Sequence, residues 1–100
     1  MILIADSGSS TTEWRLLDGE SISQYQCIGL NPYIVDEHII RGTLSQLDLP
    51  FDKVIELHFY GAGCGSSEKS DIMKTVLQSV FRCADIFVYS DLLQSIFKYI

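Results

Sequence analysis

The chain has 100 residues, of which 47% are hydrophobic and 20% are charged. A length of this order suits one globular domain, and the abundance of aliphatic and aromatic residues excludes a disordered chain. Thirteen acidic side chains against seven basic ones give a formal charge of −6. Nucleic acids and anionic membrane surfaces are therefore disfavoured as partners, because both attract basic proteins.

Neither the cysteines nor the N-terminus indicates an oxidising compartment. Cys27, Cys64 and Cys83 are widely spaced and form no C-x-x-C pair, so a disulfide framework or a zinc site is not predicted. The apolar residues 1–5 lack a basic segment before them and meet Asp6 at once, which excludes a signal peptide. No apolar run reaches the ~18 residues of a membrane span. We therefore expect a soluble, cytoplasmic protein.

The first half of the chain predicts three strands. An apolar strand at residues 1–5 precedes a polar loop at 6–12, and two further strands follow at about 13–17 and 20–27. Asp18-Gly19 joins these two strands, and the tolerance of both residues for positive φ predicts a type I′ hairpin turn. Apolar and polar residues alternate only partly along the third strand, which predicts that it is less buried than the others.

The second half alternates helices and strands. Asp36 is predicted to cap a helix that Pro50 ends, and Ser66 or Ser67 to cap a second helix. The other predicted elements are strands at 54–60 and 84–89 and a third helix over 92–100. The order β-β-β-α-β-α-β-α predicts an α/β fold with a five-stranded mixed sheet and helices packed on its faces.

Three loops are expected to converge, because ligands collect at the carboxyl ends of parallel strands. They are residues 6–12, 61–65 and 90–91. The first contains five hydroxyls and a glycine after the carboxylate of Asp6. Hydroxyls and backbone N–H groups suit phosphate oxygens, and a lone carboxylate suits hydrated Mg²⁺. On composition alone, an ordinary polar turn is the alternative.

The spacing Asp-x-Gly-x-Ser-x-Thr from Asp6 to Thr12 resembles the first phosphate motif of the sugar kinase, actin and heat-shock chaperone ATPase superfamily. Within it, this stretch is most similar to the BadF/BadG-type ATPase and N-acetylglucosamine kinase family. Three further segments match in order: Gly29-Leu30-Asn31-Pro32, Tyr60-Gly61-Ala62-Gly63-Cys64 and Ser90-Asp91-Leu92-Leu93. The resemblance covers essentially the whole chain and implies a ribonuclease-H-like, actin-like ATPase lobe.

The resemblance also implies ATP and Mg²⁺ as cofactors and N-acetylglucosamine or a related amino sugar as the substrate. Asp6 would organise Mg²⁺ through water. The β- and γ-phosphates would be lined by Gly8, Ser9, Ser10, Thr11 and Thr12. The sugar would be held by Asn31, in a pocket shaped by Gly61 and Gly63. Asp91 would accept the proton of the sugar hydroxyl that attacks the γ-phosphorus.

Two departures from the family pattern leave alternatives open. Relatives commonly have Lys where this chain has Thr11, and the family's second phosphate motif and adenosine-binding segment follow the part matched by residues 1–100. We therefore expect 1–100 to be an amino-terminal lobe that is inactive as an isolated fragment, with the missing second lobe as its partner and a homodimer allowed. A non-catalytic regulatory module or an ATPase activator is the alternative. Asp91 as a simple helix cap and Asn31-Pro32 as a simple turn also stay open.

Overall fold

The computed structural model describes residues 1–90, and it confirms the predicted five-stranded mixed sheet. The strands are β1 (Ile2–Ser7), β2 (Thr11–Asp18), β3 (Ser21–Ile28), β4 (Glu56–Gly61) and β5 (Asp85–Ser90). The helices are α1 (Glu37–Ser45) and α2 (Ser67–Val80), and a short 3₁₀ turn spans Phe51–Lys53. The predicted third helix, together with Asp91, lies outside the described residues.

The sheet has the strand order β3-β2-β1-β4-β5. The first three strands form an antiparallel meander, whereas β4 runs parallel to β1 and β5 runs parallel to β4. Ser7 at the end of β1 pairs with Gly61 at the end of β4, and Gly61 pairs with Ser90 at the end of β5. The carboxyl ends of three parallel strands therefore lie side by side at one edge of the sheet.

One face of the sheet forms the core with both helices. Trp14 of β2 is fully buried at its centre, with its ring 6.2 Å from that of Phe59 and 6.3 Å from that of Phe81. Ile40 and Leu44 of α1 and Met73, Val76 and Leu77 of α2 complete this buried layer. Each aromatic pair contributes about 0.5–1.5 kcal/mol beyond the area it buries, so Trp14 anchors the strand that follows the first loop.

The predicted helix caps are confirmed. The Asp36 carboxylate accepts a hydrogen bond from the Ile39 backbone N–H at 2.9 Å. Ser66, rather than Ser67, caps α2 and accepts from the Lys69 N–H at 3.3 Å. No helix within residues 1–90 is long and apolar enough to cross a membrane.

Two local predictions are wrong. The polar loop after β1 is only Gly8–Ser10, because Asp6 and Ser7 keep strand pairing with β2 on one side and β4 on the other. The hairpin turn is centred on Gly19 and Glu20, since Asp18 still pairs with Ser21. Gly19 has a φ of +62°, and no residue other than glycine in the described chain has a positive φ. A positive φ at the first central residue, Gly19, and a negative φ at the second, Glu20, match a type II′ turn rather than type I′.

The opposite face of the sheet carries a row of stacked rings from β4 and β5. His58 stacks on Phe87 at 4.9 Å between ring centroids, and Tyr60 stacks on Tyr89 at 4.6 Å. The imidazole of His58 also lies 2.7 Å from a carboxylate oxygen of Glu56. Burial, with a smaller contribution from the charge of Tyr89, raises the pKa of Tyr60. This face is thus ordered by cross-strand pairs without contributing to the helix-covered core.

Candidate functional site

The hairpin between β1 and β2 exposes a short polar backbone segment. The Gly8 N–H donates to the Thr11 carbonyl at 2.9 Å, which closes the turn. Residues 8–11 are all exposed. A Cβ at Gly8 would meet only the Thr11 carbonyl oxygen, at an ordinary 3.6 Å, and the φ of Gly8 is not positive. The fold itself therefore does not require glycine here, and the space beside Gly8 is open to a ligand.

Behind this hairpin lies a chain of buried hydroxyl hydrogen bonds. Ser7 and Thr12 are both fully buried, and their hydroxyl oxygens are 2.8 Å apart. The Thr12 hydroxyl donates its hydrogen to the Ile28 carbonyl at 2.8 Å. It must therefore accept the hydrogen of the Ser7 hydroxyl. The Ser7 oxygen in turn accepts from the Leu30 N–H at 2.9 Å. The hydroxyl of Thr12 is thus engaged inside the protein and supports the hairpin from behind, whereas the hydroxyl-bearing residues 9–11 face solvent.

Gly29, which follows β3, packs directly against the backbone of the hairpin. Its N–H donates to the Ser10 carbonyl at 2.9 Å. A Cβ on Gly29 would lie 2.6 Å from the Ser9 carbonyl oxygen and 2.7 Å from that of Gly8. Because both neighbours are backbone atoms, no rotamer change can make room. From the sequence, Gly29 is only one residue of a matching segment. Its position directly after β3 is the signal of a close backbone approach.

The segment after Gly29 carries Asn31 to the end of β4. Leu30 is fully buried and anchors the segment. The Asn31 side-chain oxygen accepts from the Tyr33 N–H at 2.9 Å, so the amide nitrogen is the group left to donate. The Asn31 side chain lies against Gly63, whose φ is +82°. Glycine at this position is thus required both by its backbone conformation and by the approach of Asn31.

The loop after β4 joins the same assembly. The Ala62 N–H donates to the Ser7 carbonyl at 2.9 Å, which ties the ends of β1 and β4 together. A Cβ at Gly61 would strike the ring of Phe59, so core packing accounts for this glycine. The hairpin, Asn31 and Gly63 therefore converge at one edge of the sheet. Of the loop predicted at Ser90 and Asp91, only Ser90 is described, and it pairs with Gly61 at this edge. Asp91 lies outside the described residues.

Acidic groups lie just below the hairpin. Asp6 of β1 and Glu13 of β2 are directly opposed in the antiparallel ladder, so their side chains share one face. Within residues 1–90, no group of three or more His, Cys, Asp or Glu side chains could hold a metal by itself. Mg²⁺ usually keeps several waters and takes one or two carboxylates together with phosphate oxygens. The residues present fit that pattern, with Asp6 as the carboxylate and phosphate completing the shell.

Cys27 of β3 lies beside the buried hydroxyls. The indole N–H of Trp14 donates to its sulfur at 3.3 Å. Burial raises the pKa of the Cys27 thiol, and side-chain hydrogen bonding with Trp14 and Thr12 offsets part of that increase. The thiol is therefore protonated at neutral pH and packs as a small apolar group rather than acting as a nucleophile.

Comparison with known proteins returned a match only among solved structures; no family model and no curated protein matches this chain. A Porphyromonas gingivalis protein described as a candidate N-acetylglucosamine kinase superposes with a TM-score of 0.83 and is 32% identical in sequence. The resemblance to the N-acetylglucosamine kinase family is confirmed. That match covers 95% of this chain and 36% of the kinase chain, so this chain spans about a third of its kinase relative. YeaZ from Pseudomonas aeruginosa also matches, at a TM-score of 0.48 and 17% identity over 91% of this chain and 43% of that one.

Proposed function

We propose that this chain is the amino-terminal part of an ATP-dependent sugar kinase that phosphorylates N-acetylglucosamine or a related amino sugar. The observation that carries the proposal is the convergence of an open polar hairpin, Asn31 and Gly63 at the carboxyl edge of β1 and β4. A kinase needs its phosphate donor and acceptor hydroxyl held side by side, and this edge offers neighbouring positions for both.

The phosphates of ATP would bind along the hairpin. Gly8 leaves space for close approach to the backbone, and Ser9, Ser10 and Thr11 supply exposed hydroxyls and N–H groups. Thr12 would serve the site indirectly by holding the hairpin. Asp6 would hold Mg²⁺ through water, and the ion would neutralise charge on the transferring phosphoryl group. Glu13 lies directly opposite Asp6 on β2, so a second carboxylate is available at the same end of the hairpin.

The sugar would bind between Asn31 and the loop after β4. The free donor of the Asn31 amide suits a sugar hydroxyl oxygen, because its carbonyl oxygen is already used by the Tyr33 N–H. Gly63 would let a sugar ring approach the backbone closely. Gly61 would contribute to the pocket only through its backbone, because its Cα hydrogen faces Phe59 in the core.

Asp91 would be the catalytic base. It follows Ser90, the last residue of β5, which pairs with Gly61 beside the proposed sugar pocket. The sugar oxygen would form a bond to the γ-phosphorus while the bond to the bridging oxygen breaks and ADP leaves. Asp91 would take the proton of the attacking hydroxyl; a carboxylate with an ordinary pKa of ~3.9 is ionised at neutral pH and can accept it.

The test is a coupled ADP-release assay on the protein at its natural length, with N-acetylglucosamine and Mg²⁺-ATP. We expect turnover that depends on both the sugar and the metal. Asp91→Asn should lower kcat by about 10²–10⁴-fold. Asp85 is an exposed carboxylate at the opposite end of β5, so Asp85→Asn is the control and should leave kcat unchanged. Equal turnover of the wild type and Asp91→Asn would refute the proposed base.

A regulatory module without kinase activity is the second candidate, and Thr11 is the observation that favours it. Thr11 stands on the exposed hairpin where relatives commonly have Lys, so the site lacks one cation beside the phosphates. This candidate predicts no turnover in the ADP-release assay, together with ATP or sugar binding in a calorimetric titration.

A further inference from the structure

We propose that the buried hydroxyls of Ser7 and Thr12 are positioning residues that couple the nucleotide site to the sugar site. The inference rests on the proposed function for the identity of the two ligands. Its own basis is the set of contacts behind the hairpin, where neither hydroxyl is exposed to solvent. Through these contacts, a ligand bound at one site would raise the affinity of the other.

The hydroxyl pair joins the two strands of the hairpin to a segment 16 to 23 residues away in sequence. Ser7 ends β1, Thr12 lies at the start of β2, and their shared hydrogen bond spans the base of the hairpin at 2.8 Å. Both hydroxyls also bond to backbone groups on either side of Gly29. The Ile28 carbonyl accepts from Thr12, and the Leu30 N–H donates to Ser7. The hairpin is therefore fastened to the segment that leads directly into Asn31.

Gly29 makes the same junction rigid. Its N–H is bonded to the Ser10 carbonyl, and its Cα packs against the backbone of Ser9 and Gly8 with no room for a methyl group. The polar tip of the hairpin and Asn31 are thus two ends of one continuous unit. Movement of one end relative to the other would break one of these hydrogen bonds.

This arrangement has a thermodynamic consequence. Because the two ends move as one unit, phosphates that fix the position of residues 8–10 also fix the Gly29–Asn31 segment. A sugar that binds next therefore has less motion of this unit to suppress. By linkage the effect is reciprocal: the sugar must raise nucleotide affinity by the same factor. Couplings of this kind are typically about 5- to 150-fold. Removal of the hydroxyl bridge should reduce the factor while leaving the groups that touch each ligand in place.

The experiment measures binding of a non-hydrolysable ATP analogue with Mg²⁺, by calorimetry, with and without saturating N-acetylglucosamine. The protein at its natural length is compared with Thr12→Val, which keeps the shape and loses the hydroxyl. Thr12→Ser keeps a hydroxyl and is the rescue variant. Thr75→Val is the matched control, because Thr75 is an exposed residue of α2 whose hydroxyl bonds only within its own helix.

We expect the sugar to raise analogue affinity at least ~5-fold in the wild type, in Thr12→Ser and in Thr75→Val, and less than ~2-fold in Thr12→Val. A general loss of stability would raise this ratio rather than lower it, because the sugar also shifts the protein towards its folded state. A lower ratio therefore separates positioning from stability. If Thr12→Val does not fold, Ser7→Ala, which leaves the Thr12–Ile28 bond intact, should show the same loss of coupling.

Three results decide the matter. Unchanged coupling in Thr12→Val, or in Ser7→Ala where that variant replaces it, would overturn the inference. A wild type that binds both ligands independently would also overturn it, although the proposed function would stand. A wild type that binds neither the analogue nor the sugar would overturn the proposed function itself.

Discussion

Gly29→Ala is the substitution for which the structure predicts the largest effect on the hairpin. The added Cβ would lie 2.6 Å from the Ser9 carbonyl oxygen, and ordinary contact begins at 3.4 Å. The hairpin must therefore retreat by about 0.8 Å, the difference between these two distances. That movement would break the 2.9 Å hydrogen bond between the Gly29 N–H and the Ser10 carbonyl. The φ of Gly29 is not positive, so the effect is steric rather than conformational.

Two free-energy contributions add up in this variant. Forced overpacking costs about 1–3 kcal/mol, and loss of one backbone hydrogen bond costs about 1 kcal/mol more. We expect the free energy of unfolding, measured by urea denaturation, to fall by about 2–4 kcal/mol. Because a displacement near 1 Å in a positioned site can cost ~10²-fold, affinity for Mg²⁺-ATP should fall by about 10–100-fold.

Two other glycines supply matched controls. Gly42 lies in α1, and a Cβ there would meet no atom within 4 Å; Gly42→Ala should stabilise the protein by about 0.5–1 kcal/mol because it improves helix propensity. Gly19 has a φ of +62° in open space, so Gly19→Ala should destabilise by about 1–2 kcal/mol and leave nucleotide binding unchanged. The steric argument would be wrong if Gly29→Ala were at least as stable as Gly19→Ala and also bound Mg²⁺-ATP with wild-type affinity.

The other predictions concern single groups. Asp36→Ala should lower the free energy of unfolding by about 1 kcal/mol, measured by urea denaturation, since it removes the cap bond to α1; a change below ~0.3 kcal/mol would contradict the cap. In iodoacetamide labelling at neutral pH followed by mass spectrometry, exposed Cys83 should react first, before Cys27 with its raised pKa and before buried Cys64; early labelling of Cys27 would show that its thiol is not suppressed. Thr11→Lys, at an exposed position, should tighten ATP binding about tenfold through a charge-assisted bond to phosphate; a weaker or unchanged affinity would place the phosphates elsewhere.

The fold was largely predictable because its signals are local. The apolar spacing along α2 predicts a helix with one buried face, and the structure buries Met73, Val76 and Leu77 there. The capping residues Asp36 and Ser66 are equally local, since each bonds an N–H three residues away. The weak alternation of β3 also agrees with its exposed edge position, where Ile22 is 47% exposed.

The parts of the site that were not predictable depend on partners far along the chain. Ser7 and Thr12 lie in a stretch of hydroxyls and glycine that predicts a loop, but pairing with β3 and β4 makes them buried strand residues. The role of Gly29 follows from a contact with Ser9, 20 residues earlier in the chain. Local composition contains no information about such contacts. The ligand-binding roles of Asp6, Gly8 and Asn31 stay predictions.

An amide NMR titration of the protein at its natural length would show whether both ligands bind at this edge of the sheet. Mg²⁺ with the non-hydrolysable ATP analogue should shift the backbone N–H signals of residues 8–11. N-acetylglucosamine should shift the Asn31 side-chain amide and the Gly63 N–H. Shifts confined to these two neighbouring sets would place both ligands at the carboxyl edge of β1 and β4. Shifts elsewhere on the sheet, or none at saturating ligand, would contradict the account.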